Sequence, residues 1–98
     1  MATTATHAIV VRVTFKPGLE EAAAKVLDTE VVPGAKAAAG FIAGYWMHSE
    51  DGHTGASVEL FESLVNAQAE MSRRSTVMPP ESPVTIDSVE ILEVAASA

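Results

Sequence analysis

Two histidines and two carboxylates crowd the middle of the chain: His48, Glu50, Asp51 and His53, within GFIAGYWMHSEDGH, residues 40–53. Imidazole titrates near neutral pH, so the histidines offer either acid/base chemistry or metal ligation. A metal needs convergent geometry and a third or fourth ligand. Polar residues flanking a turn are common without one, so no metal site is assigned. His48 is the better candidate as a general base, because strand alternation sets it beside Trp46. Tyr45 is a candidate for orienting or deprotonating a phenolic ligand, or else a half-buried core aromatic whose hydroxyl reaches an edge partner. Glu59 shares a strand face with Ser57 and Phe61, and a carboxylate on an otherwise apolar strand needs a partner or water. Arg12 on the adjacent strand is its natural partner, which gives a structural ion pair; the alternative is a pocket-lining base. Arg73 and Arg74, followed by Met78-Pro79-Pro80, read either as cations ending a helix or as an anion clamp beneath a lid.

Composition narrows the classes. The 98 residues make one domain, and with 48% apolar residues it can form a core. There is no cysteine, hence no disulfide framework, thiolate ligand or thiol nucleophile. The formal charge is −7 with six scattered Lys and Arg, which argues against nucleic acid and against an anionic membrane surface. Met1 to His7 lacks the basic and apolar regions of a secretory signal, so a cytoplasmic location is expected. There is no glycine-rich phosphate loop, dinucleotide fingerprint or serine nucleophile elbow.

The elements that must position these groups follow from periodicity. HAIVVRVTF, 7–15, is a β-branched strand stopped by Lys16-Pro17-Gly18. Leu19, Ala23, Val26, Leu27 and Val31 recur at helical spacing, with acidic residues in the first turn. Pro33-Gly34 should interrupt this helix, and a short piece, AKAAA, should follow and end at Gly40. Strands at 41–48 and 54–62 form a hairpin through Glu50-Asp51-Gly52. Ser63 caps a second helix in which Glu70 and Arg74 are placed for an i,i+4 pair. The last strand, 84–94, changes phase near Asp87-Ser88, which predicts a bulge. The order β-α-β-β-α-β is the ferredoxin-like α+β plan: an antiparallel four-stranded sheet with both helices on one face.

Such a sheet should show polar alternation on its uncovered side. Here Tyr45 and Trp46 point to opposite faces, and Val10 backs Val11, so both faces are apolar. The expected remedy is a second copy, sheet against sheet, with Val10 and Trp46 in the interface.

The pattern resembles the antibiotic-biosynthesis-monooxygenase-like proteins of the dimeric α+β barrel superfamily over roughly residues 7–95. The resemblance rests on the first strand ending in Lys16-Pro17-Gly18 and on Val31-Val32-Pro33 leading to Gly40-Phe41. It rests also on the aromatic second strand, VELFESLVNAQAE at 58–70, and SVEILEV at 88–94. It implies a homodimer with a pocket between sheet and helices in each subunit. It also implies oxygenation of a phenol or quinol without metal, flavin or other cofactor, the deprotonated substrate itself reducing O2. The residues of haem-degrading members are absent: Val11 and Phe61 stand where those carry Asn and Trp, and no His follows His53. The Asn, Trp, Tyr and Arg of phenol-oxygenating members do not map cleanly, since Asn66 lies on the second helix and Tyr45 and Trp46 on the second strand. The pocket positions expected from this comparison are Val11, Trp46, Phe61 and Asn66. The competing function is a non-catalytic ligand-binding or assembly module of the same fold.

Overall fold

The computed structural model describes residues 4–74 and 79–98. Four strands, β1 (His7–Phe15), β2 (Phe41–His48), β3 (Thr54–Phe61) and β4 (Val84–Glu93), form one antiparallel sheet in the order β2-β3-β1-β4. This is the ferredoxin-like arrangement expected from the sequence.

The first helical segment departs from expectation. It does not break at Pro33. α1 (Glu20–Val26) runs into a wider turn, Leu27–Val31, and on into α2 (Val32–Lys36). The Val32 N–H reaches the Leu27 carbonyl, five residues back. A proline lacks an N–H and its ring collides with the carbonyl four residues earlier. Widening the turn before Pro33 makes room for that ring. The Thr29 hydroxyl also donates to the Lys25 carbonyl at 2.8 Å. The expected AKAAA helix is thus replaced by the end of α2, and Gly40, at φ 78°, turns the chain into β2.

α3 (Leu64–Arg73) starts as expected: the Ser63 hydroxyl accepts from the Asn66 N–H at 3.1 Å. It packs on β1, β3 and β4. Beneath it lies the filled end of the core, where Ile9, Phe61 and Ala67 are fully buried against Phe41, Met71 and Ile91. Phe41 and Phe61 meet edge to face, with ring centroids 6.0 Å apart.

Two irregularities set which side chains point inward. Arg12 pairs with Ser88 and Val13 with Ile86, so Asp87 is the extra residue of the bulge expected in β4. A second, unexpected one lies in β2: Phe41 pairs with Phe61 but Ala43 with Leu60, leaving Ile42 over. An extra residue reverses alternation downstream. Phe41 therefore faces the helices together with Gly44, Trp46 and His48, while Tyr45 faces away. This corrects the expected interface. Trp46 lies on the helix side with Val11 and Ser57, and Val10 lies on the other.

Candidate functional site

Where α3 covers the sheet, the interior is filled. Beneath α1 it is hollow. A cavity of about 740 Å³ lies between α1 with its wide turn and the sheet. Its floor is apolar: Ile9, Val11 and Val13 on β1, and Val89 on β4. Val26, Leu27 and Val31 form the helical wall. Trp46 lines the cavity from β2, and Phe15 spreads over Gly55, where a Cβ would stand 2.8 Å from its ring.

One wall is charged. Glu59 (1% exposed) and Glu70 (4% exposed) are both buried. Arg74 grips Glu59 with two bonds, Nη1 to Oε2 at 2.5 Å and Nη2 to Oε1 at 2.6 Å. Its Nε donates to Glu70 Oε2 at 2.7 Å. Arg73 adds two bonds to Glu70, at 2.7 and 2.6 Å. Two carboxylates thus face two guanidiniums in a bidentate geometry that suits planar groups. Burial by itself raises the Glu70 pKa, but hydrogen bonds and charges from Arg73 and Arg74 outweigh it and hold the carboxyl below its ordinary range. Burial likewise works against the charge of Arg74, yet Glu59 and then Glu70 more than compensate and keep the guanidinium firmly protonated.

The expected Glu59–Arg12 pair is therefore not formed. Glu59 pairs with Ile9 and Arg12 with Ala56 across β1 and β3. Three residues apart on a strand, Ile9 and Arg12 point to opposite faces. Arg12 is exposed on the outer one. The Glu70–Arg74 pair expected from helical spacing does form.

His48 lines the cavity at an exposed position. Its Nδ1 lies 2.9 Å from the Ser49 carbonyl. A carbonyl only accepts, so Nδ1 carries the proton, and Nε2 of the neutral ring keeps its lone pair. The other polar groups of the hairpin serve the turn. Asp51 accepts from the Ser49 hydroxyl (2.6 Å) and the His53 N–H (2.9 Å), and these bonds lower its pKa. Among the described residues no three His, Asp or Glu side chains converge as a metal site.

No protein-family model matches the sequence, and no curated protein matches it. Solved structures do. A protein of unknown function from Nitrosomonas europaea, NE2512, is similar at 25% identity with a TM-score of 0.69, covering 98% of this chain and 95% of that one. PA3566 from Pseudomonas aeruginosa is similar at 18% identity and TM-score 0.61, covering 98% of each chain. The ActVA-Orf6 monooxygenase of Streptomyces coelicolor, solved with the ligand nanaomycin D, is similar at 16% identity and TM-score 0.61 over 96% of this chain and 91% of that one. The chain thus shares its ferredoxin-like α+β fold with these proteins, one of them a monooxygenase.

Within that fold the residues singled out by sequence divide. Val11, Trp46, His48 and Glu59 line one cavity. Tyr45 does not: it is 61% exposed on the outer face of the sheet. Phe61 is sealed in the filled core. Asn66 is tied to the Ser63 cap by its side chain as well as its N–H, and borders a separate shallow groove with Gly34 and Ala38. Arg74 is the residue that sequence reasoning undervalued. The Glu70 spacing pointed to its charge pairing, but nothing in the sequence placed that guanidinium over β3. The suggested lid falls partly on 75–78, outside the described residues. No helix among the described residues is long and apolar enough to cross a membrane.

Proposed function

We propose that this chain binds a small, flat, apolar or phenolic molecule in the cavity under α1 and oxygenates it without a cofactor. The observation that carries the reading is a cavity of about 740 Å³, open on one side and lined mainly by apolar side chains, with the buried Glu59–Arg74 pair in one wall. Pockets for small molecules have this character: apolar lining with a few fixed polar groups. The described bonds of Arg74 use three of its five N–H donors. The remaining two are suited to a phenolic or quinone oxygen. His48 Nε2 takes the acidic proton of the substrate. The resulting anion then supplies electrons to O2. A ring carbon that enters as CH2 leaves as C=O; one oxygen atom joins carbon, and the other departs as water with both hydrogens. That four-electron oxidation matches the four electrons O2 accepts, so no further reductant is needed.

A second reading, ligand binding without chemistry, is favoured by Glu59, whose two oxygens both accept from Arg74 and so hold it in an ion pair of the wall. The outer sheet face supports a homodimer in either case. Tyr45, Met47 and Leu92 are 61, 49 and 47% exposed there, beside Val10 and Val58, and a second copy would cover them.

The test is an amide chemical-shift titration with anthrone, 2-naphthol, a naphthoquinone and haem, followed by O2 uptake with whichever binds. Saturable shifts at Val11, Trp46 and His48 with O2 consumption support the oxygenase. Binding without O2 consumption leaves the second reading, and no saturable shift with any compound overturns both.

A further inference from the structure

Trp46 is the single tryptophan of the chain, and the way it lies is unusual for a strand residue. Side chains normally stand away from the sheet. A Cβ placed on Gly44 would stand 2.6 Å from Cη2 of the Trp46 indole and 2.9 Å from Cζ3. These atoms are at the far edge of the ring system. The indole is therefore laid down along β2, towards Phe41, whose Cζ would be 3.2 Å from the same Cβ. Gly44 is the position that permits it, because any side chain there would hold the ring off the sheet. A glycine inside a strand marks such a close approach.

The neighbours of this ring add direction. Gly44 pairs with Glu59 across β3, so the indole lies one strand away from the Glu59–Arg74 pair. The surrounding floor is aliphatic, with Ile9, Val11 and Val89. Aliphatic side chains accept flat and puckered molecules alike. The face of an indole does not: it is matched by another flat ring.

We propose that the Trp46 indole, bedded on Gly44, is the stacking floor of the cavity and makes it select planar aromatic rings over saturated molecules of the same skeleton. The inference rests on the cavity being the binding site and adds the feature that sets its selectivity. Offset stacking contributes beyond area burial by an amount that corresponds to roughly a 2- to 13-fold tighter Kd.

The probes are 2-naphthol and decahydro-2-naphthol, which share carbon skeleton and hydroxyl but differ in planarity. Both are titrated into the full chain by calorimetry and by following the amide resonances and the one indole N–H resonance. The expected result is a Kd for 2-naphthol roughly 2- to 13-fold lower, with an upfield shift of the indole resonance that the saturated alcohol does not produce. Trp46→Leu keeps an apolar floor and should equalise the two ligands. Gly44→Ala lifts the indole and should narrow the preference, which keeps the test available should Trp46→Leu not fold. Equal affinities in the unaltered protein, or an undiminished preference in either variant, would overturn the stacking floor and leave the cavity reading intact. If neither alcohol shifts any amide around the cavity, the cavity reading fails and this inference with it.

Discussion

Replacing Arg74 by Met should destabilise the fold severely, and the reason can be isolated. Arg74 is 26% exposed at its side chain, whereas its partner Glu59 is 1% exposed. Two charges about 4 Å apart attract by about 4 kcal/mol at an effective dielectric of about 20. Removing one partner of a buried pair costs about 3–5 kcal/mol, because the other charge stays behind without compensation. Water reaches the Arg74 side of the pair, which sets the expectation at the lower end, about 3 kcal/mol. Glu70 keeps Arg73, so the orphan is Glu59. For a domain of this size a loss of about 3 kcal/mol lowers Tm by about 12–24 °C. Urea denaturation followed by circular dichroism measures it. The decisive comparison is the double variant Glu59→Leu with Arg74→Met. If the cost arises from an orphaned carboxylate, the second substitution restores about 2 kcal/mol, since a buried ion pair is often replaceable by apolar residues. A double variant as unstable as Arg74→Met, or less stable, would refute the reasoning and assign the loss to packing of the arginine stem.

Glu70 titrates below its ordinary value of 4.5 in the folded chain, so its stabilisation is complete above that pH and is lost as pH falls through the folded value. Glu70→Gln should therefore flatten the acid limb of a stability–pH curve while lowering stability at pH 7. Gly40 and Gly52 both have positive φ, 78° and 75°, but a Cβ would strike the Asn66 side chain only at Gly40. Gly52→Ala should cost about 1–2 kcal/mol for the backbone alone, and Gly40→Ala measurably more; equal losses by urea denaturation would count against the close Gly40–Asn66 packing. Val10→Glu puts a charge in the middle of the outer face and should convert a dimer to a folded monomer in sedimentation equilibrium. A folded Val10→Glu dimer would remove that face from the interface.

Strand positions were legible because β-branched runs are bounded by Lys16-Pro17-Gly18, Glu50-Asp51-Gly52 and the proline loop, and each of these stops a strand for a local reason. The bulge at Asp87 was legible because it leaves a phase change in an alternating pattern. The one at Ile42 leaves none, since β2 is apolar on both faces. With Phe41 in the core, strict alternation puts Tyr45 inside and Trp46 outside, and one surplus residue inverts that result. Gly44 was the available signal, a small residue in mid-strand two positions before the largest side chain of the chain. Pro33 misled for a different reason. A proline excludes a regular turn, but it does not exclude a helix that widens before it. The partner of Glu59 was sought on the next strand, where side-chain parity forbids it, although the helix above offered Arg74.

The hollow under α1 bears on function through what fills it. It is open to solvent on one side, and a ligand that displaces the water and binds only the folded chain must stabilise the fold. At a free concentration about 100 times its Kd, a ligand that binds only the folded state contributes about 2.7 kcal/mol, or about 11–22 °C in Tm. A melt of the protein with saturating 2-naphthol reads this directly. A rise of that order places the ligand in the folded interior. An unchanged Tm at a concentration where calorimetry reports saturation would mean that folded and unfolded chains bind it alike, and the cavity would lose its claim to be the site.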